Sequence, residues 1–222
     1  MVPELVKSGQ AFCYNPDGTL KGYLEKTVII ECNSDCLCDD NCVNRTIQQG
    51  RKIKINLEKT KKKGWGVFAK QNIKAGTFVG IYAGELVKEE EAERRGMRIA
   101  CRLYGVLGRT YMFDIDFGHL SEFSPADREI LYAVDAFHVG NHTRFLNHSC
   151  EPNCYIVAAY IEEPDIERPF LAIFTSSDVR AGHELTFDYA GGPKKDESEG
   201  EKLAVYAKCE CGARGCRGYM FT

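Results

Sequence analysis

Cys150, Cys209, Cys211 and Cys216 are of a type and spacing that can hold a soft metal ion. The last three form a Cys-x-Cys-x4-Cys tail, and Cys150 stands far upstream in Asn147-His148-Ser149-Cys150. Four thiolates complete a tetrahedral zinc and leave no position for water, so an ion held this way is structural. To share one ion, the tail must fold back onto the segment carrying Asn147 and His148, which predicts a site completed by the C-terminus. A second group, Cys32-x3-Cys36-x-Cys38-x3-Cys42, also has metal spacing. Eleven cysteines is an odd count, they cluster tightly, and no secretory signal pattern is visible. That usage reads as zinc in a reducing compartment rather than a disulfide framework, with scattered buried free thiols as the plain alternative.

Other segments carry reactive side chains. The run Arg144-Phe145-Leu146-Asn147-His148-Ser149-Cys150-Glu151-Pro152-Asn153-Cys154 gathers Arg, Asn, His, Ser and two Cys around a Pro turn. Such polar density is costly in a core unless every group has a partner. It argues for a ligand or an unusual chain crossing, although His148 alone reads equally as a structural histidine. Gly64-Trp65-Gly66 either lets a backbone approach a ligand closely or is a tight turn with a packed indole. Tyr82-x-Gly84-Glu85 reads as a strand end with an N-cap. Glu184-Leu185-Thr186-Phe187-Asp188-Tyr189 ends a strand in two aromatics around an acid. Either both rings alternate inward, or Tyr189 sets a phenol at the end of an apolar slot.

These residues must be positioned by a core of many short strands. Strand-like runs recur at Lys26–Glu31, Lys52–Leu57, Gly66–Ala69, Thr77–Tyr82, Tyr111–Asp116, Tyr155–Ala159, Phe170–Thr175 and Glu184–Phe187. The best helix is Lys88–Arg102, rich in Glu, Arg and Ala. The pattern predicts a mainly β fold with short helices. Gly118–Glu129 reads as a surface excursion. The organisation expected is a cysteine-rich region over 1–50, a catalytic core over 51–190, a flexible connector over 191–208 and a cysteine tail over 209–222. The 222 residues suffice for one sizeable core plus an appendage. The net charge of -3 argues against a polycationic nucleic-acid binder, and no apolar run reaches membrane-span length.

Six motifs occur in the order seen in SET-domain protein lysine methyltransferases, and the chain resembles that family over nearly its whole length. They are Gly64-Trp65-Gly66, Tyr82-x-Gly84-Glu85, Tyr111-Met112-Phe113-Asp114, Arg144 to Cys150, Glu184 to Tyr189, and the cysteine tail. Glu31-Cys32-Asn33-Ser34-x-Cys36-x-Cys38-x3-Cys42-x-Asn44-Arg45 resembles the pre-SET cluster of the suppressor-of-variegation group, which methylates lysine 9 of histone H3. That group's first five pre-SET cysteines have no counterpart here, which reads as a truncated pre-SET region.

The resemblance implies a SET β-clip fold with a pseudoknot through Asn147–Cys150, flanked by zinc-binding pre-SET and post-SET segments. It implies S-adenosyl-L-methionine against Gly64, Trp65 and Gly66, with Tyr111, Arg144, Asn147 and His148 completing the pocket. Tyr189 matches the catalytic tyrosine, with Tyr82 and Tyr111 as further wall. Phe187 matches the product-specificity position and implies di- and trimethylation. Structural zinc is implied at Cys32, Cys36, Cys38 and Cys42, and at Cys150, Cys209, Cys211 and Cys216. Cys13, Cys101 and Cys154 are not expected as ligands. The implied partner is the histone H3 tail on the nucleosome, added as a strand along an exposed edge; Asp114, Asp116, Glu122 and Glu129 are candidates for drawing in that basic tail, or equally a solvated acidic surface. Neither a membrane nor sequence-specific nucleic-acid binding is expected. The implied place is chromatin in the nucleus, and the implied role is gene silencing in heterochromatin. Lys194, Lys195 and Lys202 of the connector are candidates for automethylation. A methyltransferase for lysine 36 or for a non-histone protein, and a non-catalytic chromatin scaffold, are the other readings.

Overall fold

The computed structural model describes residues 12–22, 28–102, 111–115, 131–162, 165, 167–189 and 205–221. Its centre is a sheet built on β9 (Cys154–Tyr160) and β10 (Phe170–Thr175), paired antiparallel from Phe170↔Ala159 to Thr175↔Cys154. β4 (Phe78–Ile81) flanks β10, and β1 (Ile29–Ile30) runs parallel to β9 at the other edge, giving the order β1-β9-β10-β4.

Successive side chains of a strand point to opposite faces, so β10 feeds two cores at once. Leu171 and Ile173 enter one cluster with Val67, Val79, Leu146 and Leu185. Ala172 and Phe174 enter the other with Tyr14, Leu20, Ile29 and Ile47, which seats the N-terminal segment on the sheet. That second face also holds a buried acid. The Glu31 carboxylate accepts from Tyr14 Oη at 2.7 Å, Ile47 N at 2.6 Å and Gln48 Nε2 at 3.0 Å, so its desolvation is offset by hydrogen bonds.

A second sheet, in the order β2-β3-β11-β8, carries most of the motif residues. β2 (Ile55–Lys59) and β3 (Trp65–Ala69) form a hairpin, and β11 (Glu184–Phe187) pairs antiparallel with β3. β8, only Asn147–His148, pairs parallel with Thr186 and Phe187 of β11. A parallel neighbour cannot be reached by a tight hairpin. The connection from β8 to β11 is therefore long and carries β9 and β10, a chain crossing that is one of the two readings of the polar segment.

A third sheet joins β5 (Glu85–Lys88), β7 (Tyr132–Asp135) and β6 (Met112–Asp114) in the order β5-β7-β6. Helix α1 (Glu89–Arg102) follows β5 directly. Its first turn holds Glu89, Glu90 and Glu91, which suit the positive end of the helix dipole. Arg95 ties α1 to this sheet through Glu85 at 2.8 Å and the buried Asp135 at 2.8 Å.

Glu85 thus starts a strand rather than capping a helix. β5, β7 and β8 are absent from the strands expected from the sequence, because each is stabilised by distant partners rather than by a pattern of its own. The expected connector over 191–208 needs correction at its end. Val205–Lys208 forms β12, paired antiparallel with β13 (Tyr219–Phe221). The tail reverses at its cysteine knuckle and brings the two backbones together. The surface excursion at 118–129, most of the connector with Lys194, Lys195 and Lys202, and Cys101's side chain lie outside the described residues. Among those described, no helix is long and apolar enough to cross a membrane.

Candidate active site and metal centre

The hairpin turn between β2 and β3 sets Gly64 at φ 76°, a backbone region that glycine enters without strain. Thr60 N donates to Gly64 O at 2.6 Å, closing the turn and leaving the Trp65 indole 53% exposed at the rim. The indole is available to a ligand rather than packed. Gly66 has a different reason. A Cβ there would lie 2.6 Å from Glu184 Oε1 and 3.1 Å from Asn147 Nδ2. The space that glycine leaves is filled from within the protein. Asn147 Nδ2 donates to Trp65 O at 3.0 Å and to Glu184 Oε1 at 2.7 Å, and Lys63 Nζ pairs with the other Glu184 oxygen. Glu184 and Lys63 escaped the sequence reading of the site, although Glu184 opens one of its motifs.

Arg144 sits on a short 3-10 turn, His142–Phe145, capped by the Asn141 side chain accepting from Thr143 N. Its guanidinium carbon lies 4.2 Å from the Tyr111 ring centre, a cation–π distance. Its Nε is buried and has no hydrogen-bond partner among the described residues. A buried unsatisfied N–H costs about 1–3 kcal/mol, so this atom marks a place that a polar ligand would complete.

Tyr82, Phe113, Phe187 and Tyr189 form a row of rings with centroid separations of 5.4, 6.3 and 4.8 Å. Phe113 lies inside a motif, yet only the fold shows it between Tyr82 and Phe187. Tyr189 Oη donates to Leu146 O at 2.7 Å, and Tyr82 Oη donates to Tyr111 O at 2.9 Å. Each phenol thus commits its proton to a carbonyl and can present lone-pair density to an incoming donor. Burial raises the pKa of Tyr82 well above the usual phenol range, so it stays protonated. Phe187 is 5% exposed but Tyr189 is 46% exposed, so the strand alternation that would bury both rings does not hold at Tyr189. β11 ends at Phe187, and Tyr189 stands at the mouth of the row.

His148 is buried beside Tyr189, with ring centres 5.4 Å apart. Tyr189 N donates to His148 Nδ1 at 3.2 Å, and Cys150 Sγ lies 3.4 Å from its Nε2. Burial lowers its pKa below 6.5, against the pull of Asp188, which keeps the imidazole neutral near pH 7.

The sulfurs of Cys150, Cys209, Cys211 and Cys216 all lie within 4.8 Å of one another. Cys150 and Cys209 are 3.8 Å apart, and a tetrahedral ion with Zn–S bonds of about 2.3 Å needs sulfurs separated by about 3.8 Å. Main-chain N–H groups of Ala213, Arg217 and Gly218 point at Cys211, Cys150 and Cys216 at 3.5, 3.4 and 3.4 Å. Burial pushes the Cys211 thiol up, but hydrogen bonds and neighbouring sulfurs outweigh it and bring it to about 6. The donor set fits zinc. Cys154 stays out of it, buried in β9 with its thiol pushed up to about 12.

In the N-terminal region Cys32, Cys38 and Cys42 come together in the same way. Cys36 lies outside that group of three and donates to Asn33 Oδ1 at 3.4 Å. Arg45 lowers the Cys38 thiol by hydrogen bonding, again a setting for thiolate. Cys13 packs against the second core rather than joining this cluster. Asp114 is exposed on β6, whereas Asp116, Glu122 and Glu129 lie outside the described residues.

The SET-domain family model matches residues 64–190. The histone-lysine N-methyltransferase Su(var)3-9 of Drosophila pseudoobscura is 38% identical over 96% of this chain and 32% of its own length. The H3 lysine-9 specific histone-lysine N-methyltransferase dim-5 of Neurospora crassa is 36% identical over 95% of this chain and 66% of its own. A solved structure of Arabidopsis thaliana SUVH6 with SAM superposes with a TM-score of 0.75 at 31% identity, over 98% of this chain and 43% of that one. The chain spans between 15% and 66% of the length of these and similar curated relatives. From the family match, with the mainly β architecture, the parallel β8–β11 crossing and the cysteine tail, it follows that this chain belongs to the SET-domain family.

Proposed function

We propose that this chain is the catalytic part of an S-adenosylmethionine-dependent histone-lysine N-methyltransferase, acting on lysine 9 of histone H3 and giving di- and trimethyl-lysine. The observation that carries the reading is the ring row Tyr82–Phe113–Phe187–Tyr189. It is flanked by His148 at one end and by Tyr111 with the unsatisfied Arg144 at the other. The relatives named for lysine-9 specificity support the choice of substrate.

Trp65, Gly64, Tyr111, Arg144, Asn147 and His148 would hold the cofactor, and Gly66 would act through Glu184 and Asn147. S-adenosylmethionine would supply a methyl group on a positively charged sulfur. The lysine amine enters as an ammonium with pKa about 10.4 and must lose its proton before its lone pair can form the N–C bond, as the methyl–sulfur bond would break and leave a neutral thioether. Apolar rings disfavour the charged form, and the proton leaves to solvent at the exposed Tyr189 end. Tyr189 and Tyr82, with their protons held by carbonyls, accept hydrogen bonds from the amine and aim it. Positioning is then the main source of rate. Structural zinc at both cysteine groups would order the flanking segments, and the working place would be chromatin in the nucleus, with a role in heterochromatin.

Mass spectrometry of a histone H3 tail peptide, incubated with the chain, S-adenosylmethionine and zinc, tests this. Up to three methyl groups on lysine 9, lost with Tyr189→Phe, is the expected result. Methylation at another lysine would overturn the site assignment. Its absence from a zinc-loaded chain would overturn the enzymatic reading and leave a scaffold.

A further inference from the structure

We propose that Arg217 is a positioning residue that latches the cysteine tail onto the Asp188–Tyr189 corner of the site. The inference rests on the methyltransferase reading above for its kinetic consequence, but not for its structural one.

Arg217 follows Cys216 directly and touches two systems at once. Its main-chain N–H donates to Cys150 Sγ at 3.4 Å, inside the sulfur knot. Its guanidinium Nη2 donates to Asp188 Oδ1 at 2.7 Å and lies 3.5 Å from His148 Nε2. Asp188 stands between Phe187 and Tyr189, and its side chain is only 8% exposed. A carboxylate this far out of water needs a charged or hydrogen-bonding partner, and removing one partner of such a pair costs far more than breaking a surface pair. His148 Nδ1 lies 3.5 Å from the same carboxylate and accepts from Tyr189 N. Arg217 thus places a cation directly on this largely buried carboxylate, next to Tyr189 in the chain.

The tail's other side-chain contacts lead elsewhere. Lys62 and Glu210 pair at 3.1 Å on the surface, where such pairs contribute little. Gly215 N donates to Glu151 Oε1 at 3.0 Å, beside Cys150 in the chain. Among the described contacts, the Arg217–Asp188 pair is the one that joins the tail to the residues on either side of Asp188. Metal binding closes the knot, and this pair seats the closed knot against the site.

The test uses the zinc-loaded chain as wild type, Arg217→Met, Arg217→Lys, Asp188→Asn and the Met/Asn double variant. Zinc content, amide hydrogen exchange over Cys209–Gly218, and steady-state kinetics are measured for each. Arg217→Met is expected to keep its zinc, to exchange tail amides at least about tenfold faster, and to raise KM for the cofactor by a similar factor. Arg217→Lys should recover part of both changes, and the double variant should be no worse than Arg217→Met, because the two side chains act as one unit. Wild-type exchange in Arg217→Met, loss of its zinc, or additive effects in the double variant would each overturn the latch. If the wild type transfers no methyl while the exchange pattern holds, the methyltransferase reading fails and the latch stands.

Discussion

Phe187 sits in the ring row with Tyr189 at 4.8 Å and Phe113 at 6.3 Å, and it brings no polar atom to that wall. A tyrosine there would add one hydroxyl in a setting that is 5% exposed. A buried hydroxyl seeks a partner, and the incoming amine or a water beside it is the group within the row that can serve. The oxygen also takes room that second and third methyl groups need. Phe187→Tyr is therefore expected to shift the product from di- and trimethyl-lysine toward monomethyl-lysine, read by mass spectrometry of the peptide over time. Trimethyl-lysine formed at the wild-type rate would remove Phe187 from the specificity assignment.

At the scale of an element, α1 is held by charge as well as by packing. Arg94 and Arg95 hydrogen-bond to Glu91 and hold its carboxyl well below the usual 4.5, at about 2. Arg95 lowers Glu85 in the same direction. A carboxyl with a depressed folded pKa stabilises the fold above its ordinary pKa and loses that contribution as pH falls through the folded value. The contribution of Glu91 to the helix itself is thus intact at neutral pH and lost between about 4.5 and about 2. A carboxyl NMR titration of Glu91 should show an inflection near 2, moving toward 4.5 in Arg94→Gln. An unmoved inflection would dismiss the pairing. The pair lies on an exposed helix face, so its loss should leave the core intact.

Across the whole molecule, the tail and the core come together at the sulfur cluster. Cys150 belongs to the crossing segment next to β8, and Cys209, Cys211 and Cys216 to the tail. Replacing one thiolate leaves an incomplete tetrahedral set, and structural zinc contributes its binding energy to the order of whatever it joins. Cys216→Ser is expected to lower methyl transfer by at least about tenfold while the β9–β10 core stays folded, because second-tier order around a site typically matters at that level. Activity and hydrogen exchange measured together would show it. A fully active variant would mean that the tail does not serve the site.

The sequence by itself determined the local elements whose pattern is self-contained. Phe170–Thr175 and Glu184–Phe187 are strands within the expected bounds, and Glu89–Arg102 is the expected helix less one residue. Runs of apolar and β-branched residues, or of strong helix formers, state their conformation without reference to the rest of the chain. The cysteine spacings likewise announced metal, and the order of motifs announced the family. The tertiary structure decided what those residues meet. It placed Phe113 in the ring row, gave Gly66 its reason in Glu184, left Trp65 and Tyr189 half exposed, and brought Arg217 to Asp188. It also made strands of Glu85–Lys88, Tyr132–Asp135 and Asn147–His148, each of which forms by pairing with a distant segment. Each of these contacts joins segments far apart in the chain, so its energy exists only once the loops between them have closed, and no local pattern of residues can encode it.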